Sequence, residues 1–182
     1  MPETSPSPRI CSAERRLVFF FGGKVKSGWT QSGGVYRVEC VSESRLSIPE
    51  YAMALAEVAS LRSEDPFRKV GAAALDWDNR VIATAYNGLA PGFEAPAGFW
   101  DDRDGRQKFM LHAEVNLCSL FKRGEAKLVA TTTMPCTACM QTLCAYGIGE
   151  IYYGEIYKES DAPEIAQIYG VKLTQIPLKM QL

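Results

Sequence analysis

From Ser47 to Ile176 the chain reads as one helix, two strands, and then helix and strand alternating three times. That order constrains the fold more than any other feature. A helix between two strands supplies the crossover that parallel neighbours need, and it covers a face of the sheet. The expectation is an α/β sandwich, with parallel crossovers and helices packed on the sheet.

The individual signals are local. Ser47-Ile48-Pro49-Glu50 is a capping-box pattern, with Ile48, Tyr51, Leu55 and Val58 on one face of a helix running to about Arg62. Asp65-Pro66 breaks it. Val70–Leu75 and Val81–Tyr86 read as strands joined by a turn over 76–80. A loop rich in Gly, Pro and Asp follows, from Asn87 to about Gly105. A helix from about Leu111 to Arg123 carries Val115, Cys118 and Phe121 as its apolar stripe, with Gly124 to stop it. Leu128–Thr133 is the third strand. Cys136–Tyr146 is a helix ended by Gly147, and Ile151–Tyr153 is a strand. Asp161 caps a helix ended by Gly170, and Val171–Ile176 closes the sheet.

Residues 1–46 differ from the rest. Met1 to Pro8 is rich in Pro and Ser and reads as a flexible tail. Leu17–Phe21, a Gly-Gly break and Val35–Val38 suggest a hairpin or an irregular arm that carries no motif. The 182 residues suit an arm over 1–46 and one domain over 47–182. With 47% apolar and 23% charged residues, the chain has a globular rather than a disordered composition. Leu17–Gly22 is too short to cross a bilayer and lacks a cleavage pattern, so neither a membrane partner nor a secretory leader is expected, and the location expected is the cytoplasm. A net charge of −1 speaks against a nucleic-acid partner.

The chain has six cysteines (Cys11, Cys40, Cys118, Cys136, Cys139, Cys144) and one histidine, His112. Closely spaced thiols in a cytoplasmic chain bind metal or do redox work more often than they form disulfides. Any imidazole ligand must be His112. Cys136 and Cys139 can face one point at the start of a helix, where the dipole favours thiolate. His112 also stands at a helix start. One nitrogen and two sulfurs leave a fourth position open, as in a catalytic rather than a structural zinc site. Glu114 follows His112 by two residues, and such residues do not share a helix face. Both reach one pocket only if the first turn meets it end-on. A zinc-bound water has its pKa lowered to about 7, and a placed acid/base adds roughly 10²–10⁴-fold. Cys-x-x-Cys alone fits structural zinc or redox chemistry equally well. Cys118 and Cys144 lie on apolar stripes and read as core, while Cys11 and Cys40 have no evident partner.

His112-Ala113-Glu114 followed by Pro135-Cys136-Thr137-Ala138-Cys139 matches the His-x-Glu and Pro-Cys-x-x-Cys signature of zinc nucleobase deaminases. The chain resembles the cytidine and deoxycytidylate deaminase superfamily, and most closely its deoxycytidylate branch, over about Ile48 to Ile176. Pro49–Ala54, Arg62–Pro66 leading into Lys69–Ala72, and Tyr86-Asn87-Gly88 carry the rest of the likeness. The resemblance implies a five-stranded mixed sheet flanked by helices and zinc held by His112, Cys136 and Cys139. It also implies Glu114 as proton shuttle, Ala113 backbone at the base edge, Asn87 on the sugar and Tyr157 near the base. It implies hydrolysis of dCMP to dUMP and ammonia by a homo-oligomer, often a hexamer.

Phosphate needs cationic donors. Arg62, Arg68 and Lys69 flank the first loop, and Arg103, Arg106 and Lys108 precede His112. Arg62 and Lys69 are favoured by their match to the family loop. The family often has Gly before Tyr-Asn-Gly, in a turn that contributes to a regulatory deoxynucleoside triphosphate site. Here the residue is Ala85, which weakens the expectation of feedback by dCTP and dTTP. Two alternatives stay open: a deaminase acting on a base in RNA or DNA, such as a tRNA adenosine editor, and an inactive deaminase-fold binding subunit.

Overall fold

The computed structural model describes residues 29–32, 35–38, 45–157 and 160–177. The chain divides into two units, residues 1–45 and 46–182. In the first, β1 (Trp29–Ser32) and β2 (Val35–Val38) pair antiparallel, with Trp29 opposite Val38. The Met1–Pro8 tail, the Leu17–Phe21 run, Cys11 and Cys40 lie outside the described residues.

The second unit opens with α1 (Ile48–Ser60), and both arms of its capping box are present. Glu50 N–H donates to Ser47 Oγ at 3.4 Å, and Ser47 N–H donates to Glu50 Oε2 at 2.8 Å. β3 (Gly71–Asp76) and β4 (Val81–Tyr86) follow, then α2 (Arg103–Gln107) and α3 (Ala113–Cys118). β5 (Ala126–Thr133), α4 (Thr137–Ala145), β6 (Glu150–Glu155), α5 (Ala162–Tyr169) and β7 (Lys172–Gln175) complete the unit. The sheet order is β4-β3-β5-β6-β7. β3 runs antiparallel to β4 and β5, while β5, β6 and β7 are parallel. This is the expected five-stranded mixed sheet in an α/β/α sandwich.

Period-two alternation sorts the core into two layers. Ala73 and Leu75 of β3 and Leu128 and Ala130 of β5 face Ala52, Met53 and Ala56 of α1. Ala72, Ala74 and Val129 point the other way, toward Leu117 of α3, Met140 and Leu143 of α4, and Ala166 of α5.

The buried face of α1 is not the expected one. Ala52, Met53, Ala56 and Ala59 are buried, whereas Tyr51 is 41% and Val58 54% exposed. The cause is close approach: a Cβ on Gly71 would stand 2.0 Å from the Ala56 carbonyl oxygen. Small residues, Ala56 and Ala59, therefore stand where the helix meets Gly71, and Met53 fills the space further along the face.

α3 ends at Cys118, not Arg123, and Gly124 lies in a later turn at φ +84°. Val115 is exposed, and Leu117 takes the core position assigned to it. Within the expected loop, Asp102 accepts the Gly105 N–H at 2.9 Å and starts α2. Asp161 begins α5 without a side-chain cap, since its carboxylate accepts the Thr137 hydroxyl at 3.0 Å. Gly147 and Gly170 follow α4 and α5 at φ +81° and +67°. No described helix is long and apolar enough to cross a membrane.

Candidate active site

The site forms at the carboxyl end of β5, where crossover sheets open a crevice. After Thr133 the chain is held by Met134 N–H on the Glu155 carbonyl at 2.8 Å and by Ser160 Oγ–H on the Pro135 carbonyl at 2.5 Å. This places Cys136 at the N-cap of α4 and Cys139 in its first turn. Reciprocal bonds between Gly88 and Leu111, 3.1 and 2.8 Å, place His112 at the N-cap of α3. Neither N-cap residue makes a side-chain cap hydrogen bond.

The three donor atoms lie within 4.8 Å of one another. His112 Nδ1 is 3.3 Å from Cys139 Sγ and 3.5 Å from Cys136 Sγ. Zinc bonds of about 2.3 Å to sulfur and 2.0–2.1 Å to nitrogen, at a tetrahedral angle, require N···S edges of roughly 3.5 Å. The donor set therefore fits one tetrahedral zinc ion. The Cys139 thiol, followed by His112, holds Cys136 down at about 4. The same contact with Cys136 holds the Cys139 thiol up, and it also raises His112. The uncapped helix starts favour negative charge here.

Glu114, in the first turn of α3, is only 4% exposed, and burial raises its pKa. His112, Ala113, Glu114 and Cys136 all line one cavity of about 640 Å³. The first turn of α3 thus meets the cavity end-on, so residues that do not share a face both reach it. A cavity of this size suits a small molecule rather than a folded partner.

Asn87 and Tyr157 also line the cavity. Asn87 braces its wall: Oδ1 accepts the Val70 N–H at 2.8 Å, and Nδ2 donates to the Arg68 carbonyl at 2.9 Å. One N–H and one lone pair of the amide remain for a ligand. Arg62 and Lys69 are exposed and do not line the cavity; Arg68, Arg103 and Arg106 do. Lys69 lies between Arg68 and Val70, which both line it, and extended backbone turns alternate side chains away. Arg103, Arg106 and Gln107 fall on one helical face, a spacing that separates them from Lys108 once α2 is recognised. Phe67, Thr133, Met134 and Met110 line the cavity without any signal in the sequence.

One imidazole and two thiols converging at the edge of a nucleotide-sized cavity, with a buried carboxylate lining it, form the kind of site that zinc-dependent hydrolases use. Comparison with known proteins is specific about which kind. Residues 46–155 match the model of the cytidine and deoxycytidylate deaminase zinc-binding region. The chain is 30% identical to human deoxycytidylate deaminase over 133 residues, 68% of this chain and 74% of that one. It is 35% identical to ComE operon protein 2 of Bacillus subtilis, covering 74% of each chain. It spans only 54% of the probable deoxycytidylate deaminase of Caenorhabditis elegans, at 32% identity over 56% of this chain. The dCMP deaminase of cyanophage S-TIM5, solved with dCMP and dUMP, superposes with TM-score 0.62 at 25% identity, covering 72% of this chain and all of that one. The chain belongs to the cytidine and deoxycytidylate deaminase family.

Proposed function

We propose that the chain hydrolyses dCMP to dUMP and ammonia, with zinc held by His112, Cys136 and Cys139 and Glu114 as the proton carrier. The observation that carries the reading is the convergence of those three donor atoms, two of them (His112 and Cys136) lining the same cavity as the buried carboxylate of Glu114. When bound, zinc supplies the Lewis acidity that makes water nucleophilic at neutral pH. Glu114 takes a proton from the attacking water as the C4–O bond forms. It gives that proton to the ring nitrogen, then takes the proton of the new C4 hydroxyl and gives it to the amino group, so that the C4–N bond breaks, ammonia leaves and a C4 carbonyl remains. Its burial suits this work, because a raised pKa makes a carboxylate a better base. Ala113 is the first residue of α3, so its N–H has no helical partner and is available to the base carbonyl.

The relatives named deoxycytidylate deaminase favour dCMP over a polynucleotide substrate. We expect a cytoplasmic homo-oligomer such as a hexamer. Ala85 is an interior β4 residue, buried opposite Ala72 and without a positive φ. Its Cβ costs the backbone nothing, so the weakened expectation of dCTP and dTTP feedback loses that physical basis and falls to direct assay.

The test is ammonia release from dCMP, dCTP, cytidine and a tRNA stem-loop, with zinc quantified. Release from dCMP is expected, and release from the RNA alone would overturn the reading. Glu114→Gln should keep zinc and lose roughly 10²–10⁴-fold in turnover.

A further inference from the structure

We propose that Arg106 reads the phosphate monoester of the substrate, its guanidinium held by the Phe67 ring and the Trp100 carbonyl. The inference rests on the dCMP reading above and names the residue that makes the phosphate matter.

Arg106 lines the same cavity as His112 and Glu114, yet it is only 6% exposed. A guanidinium carries five N–H donors. One is used, from Nη1 to the Trp100 carbonyl at 3.1 Å, and the buried Nε has no partner. Among the described residues no carboxylate lies within ion-pairing distance of it. Asp65, on the same cavity, already accepts the backbone N–H groups of Phe67 and Arg68 at 2.8 and 3.2 Å. A buried cation without a counter-charge is costly, and proteins rarely keep one without a use. A ligand anion in the cavity supplies the missing charge.

The setting is built to hold the guanidinium still. Its carbon lies 4.1 Å from the centre of the Phe67 ring, a stacked cation–π arrangement. Nη1 is tied to the carbonyl of Trp100, whose ring belongs to a cluster with Phe93, Phe99 and Phe109 at centroid spacings of 5.2 to 6.0 Å. A side chain immobilised before binding loses little entropy when the ligand arrives, and the planar fork matches phosphate oxygens. The other two arginines are less committed. Arg68 lies 3.8 Å from Glu155 and over Tyr157, half exposed, and Arg103 is exposed. They add positive field, while Arg106 supplies directed donors.

The test compares zinc-loaded wild type with Arg106→Gln and Arg106→Lys. The readouts are kcat and KM for dCMP and for deoxycytidine, and Kd for dUMP and for deoxyuridine. Wild type should prefer the phosphorylated member of each pair. Arg106→Gln should reduce that preference about 10- to 100-fold, mainly through KM, the range of a lost hydrogen bond to a charged group. Arg106→Lys keeps the charge without the fork and should fall between. Inorganic phosphate should compete with dCMP in wild type. Phe67→Leu, at an exposed ring, should weaken the preference in the same direction, and it serves if the Arg106 variants do not fold. An unchanged preference in the folded variants overturns the proposal. So does inorganic phosphate that slows dCMP and deoxycytidine alike, which marks an anion site separate from the substrate. Absence of dCMP turnover in wild type would refute the substrate reading, and the dUMP and deoxyuridine affinities would still decide the role of Arg106.

Discussion

Replacing Asn87 with Ala separates two roles for one amide. The family resemblance puts Asn87 on the sugar, while the structure shows it fastening the 68–70 segment to the end of β4. Two side-chain hydrogen bonds are at stake, to the Val70 N–H at 2.8 Å and from Nδ2 to the Arg68 carbonyl at 2.9 Å. The backbone bond from Asn87 N–H to the Val70 carbonyl at 3.0 Å survives the substitution. At about 0.5–1.5 kcal/mol for each lost bond, the variant should lose roughly 1–3 kcal/mol of stability. For a domain of this size about 2 kcal/mol lowers Tm by roughly 4–8 °C. KM for dCMP should rise as well, because Arg68 and Val70 line the cavity. Urea unfolding of the zinc-loaded chain gives the first quantity, and initial rates give the second. A variant within about 0.5 kcal/mol of wild type, the scatter of neutral surface changes, but with KM raised tenfold would refute the bracing role and leave substrate contact as the function of that amide.

Other outcomes follow from the same coordinates. Gly71→Ala brings a Cβ to 2.0 Å from the Ala56 carbonyl oxygen and 2.5 Å from Ser60 N, so α1 must move. A thermal melt should show a loss of at least about 1–3 kcal/mol, and an unchanged Tm would contradict the seam. Burial holds the Cys118 thiol up at about 11, so the unfolded chain releases this proton first as pH rises. Its contribution is intact below about pH 8.5 and declines toward pH 11, by on the order of 2–3 kcal/mol. Cys118→Ala should flatten stability across that alkaline range, and an equally steep decline would exclude the thiol as its source. Chelation should abolish turnover and open Cys136 and Cys139 to alkylation, read by peptide mass spectrometry; equal labelling before and after chelation would argue against both as ligands.

What was legible in the sequence is what local spacing determines. The capping box at Ser47, the β3–β4 pair and the helix-start setting of His112 and Cys136 all depend on a few neighbouring residues. The buried face of α1 was not legible, because it depends on how near the sheet comes, and that is decided by Gly71 across the domain. α2 is too short to carry a periodic pattern. The choice of Arg68 over Lys69 turns on the phase of an extended segment that no apolar alternation marks. The setting of Arg106 arises only when Phe67, far off in sequence, comes to lie against its guanidinium.

Where α3 and α4 begin, the residues that would ordinarily close off a helix are themselves metal donors, His112 and Cys136, and neither side chain turns back to its own backbone. A zinc ion bound there would be a shared rivet for two helix ends as well as a reagent. Stripping it should let both first turns fray together, and with them the seat of Glu114. Metal occupancy and the shape of the pocket are, in this architecture, a single variable.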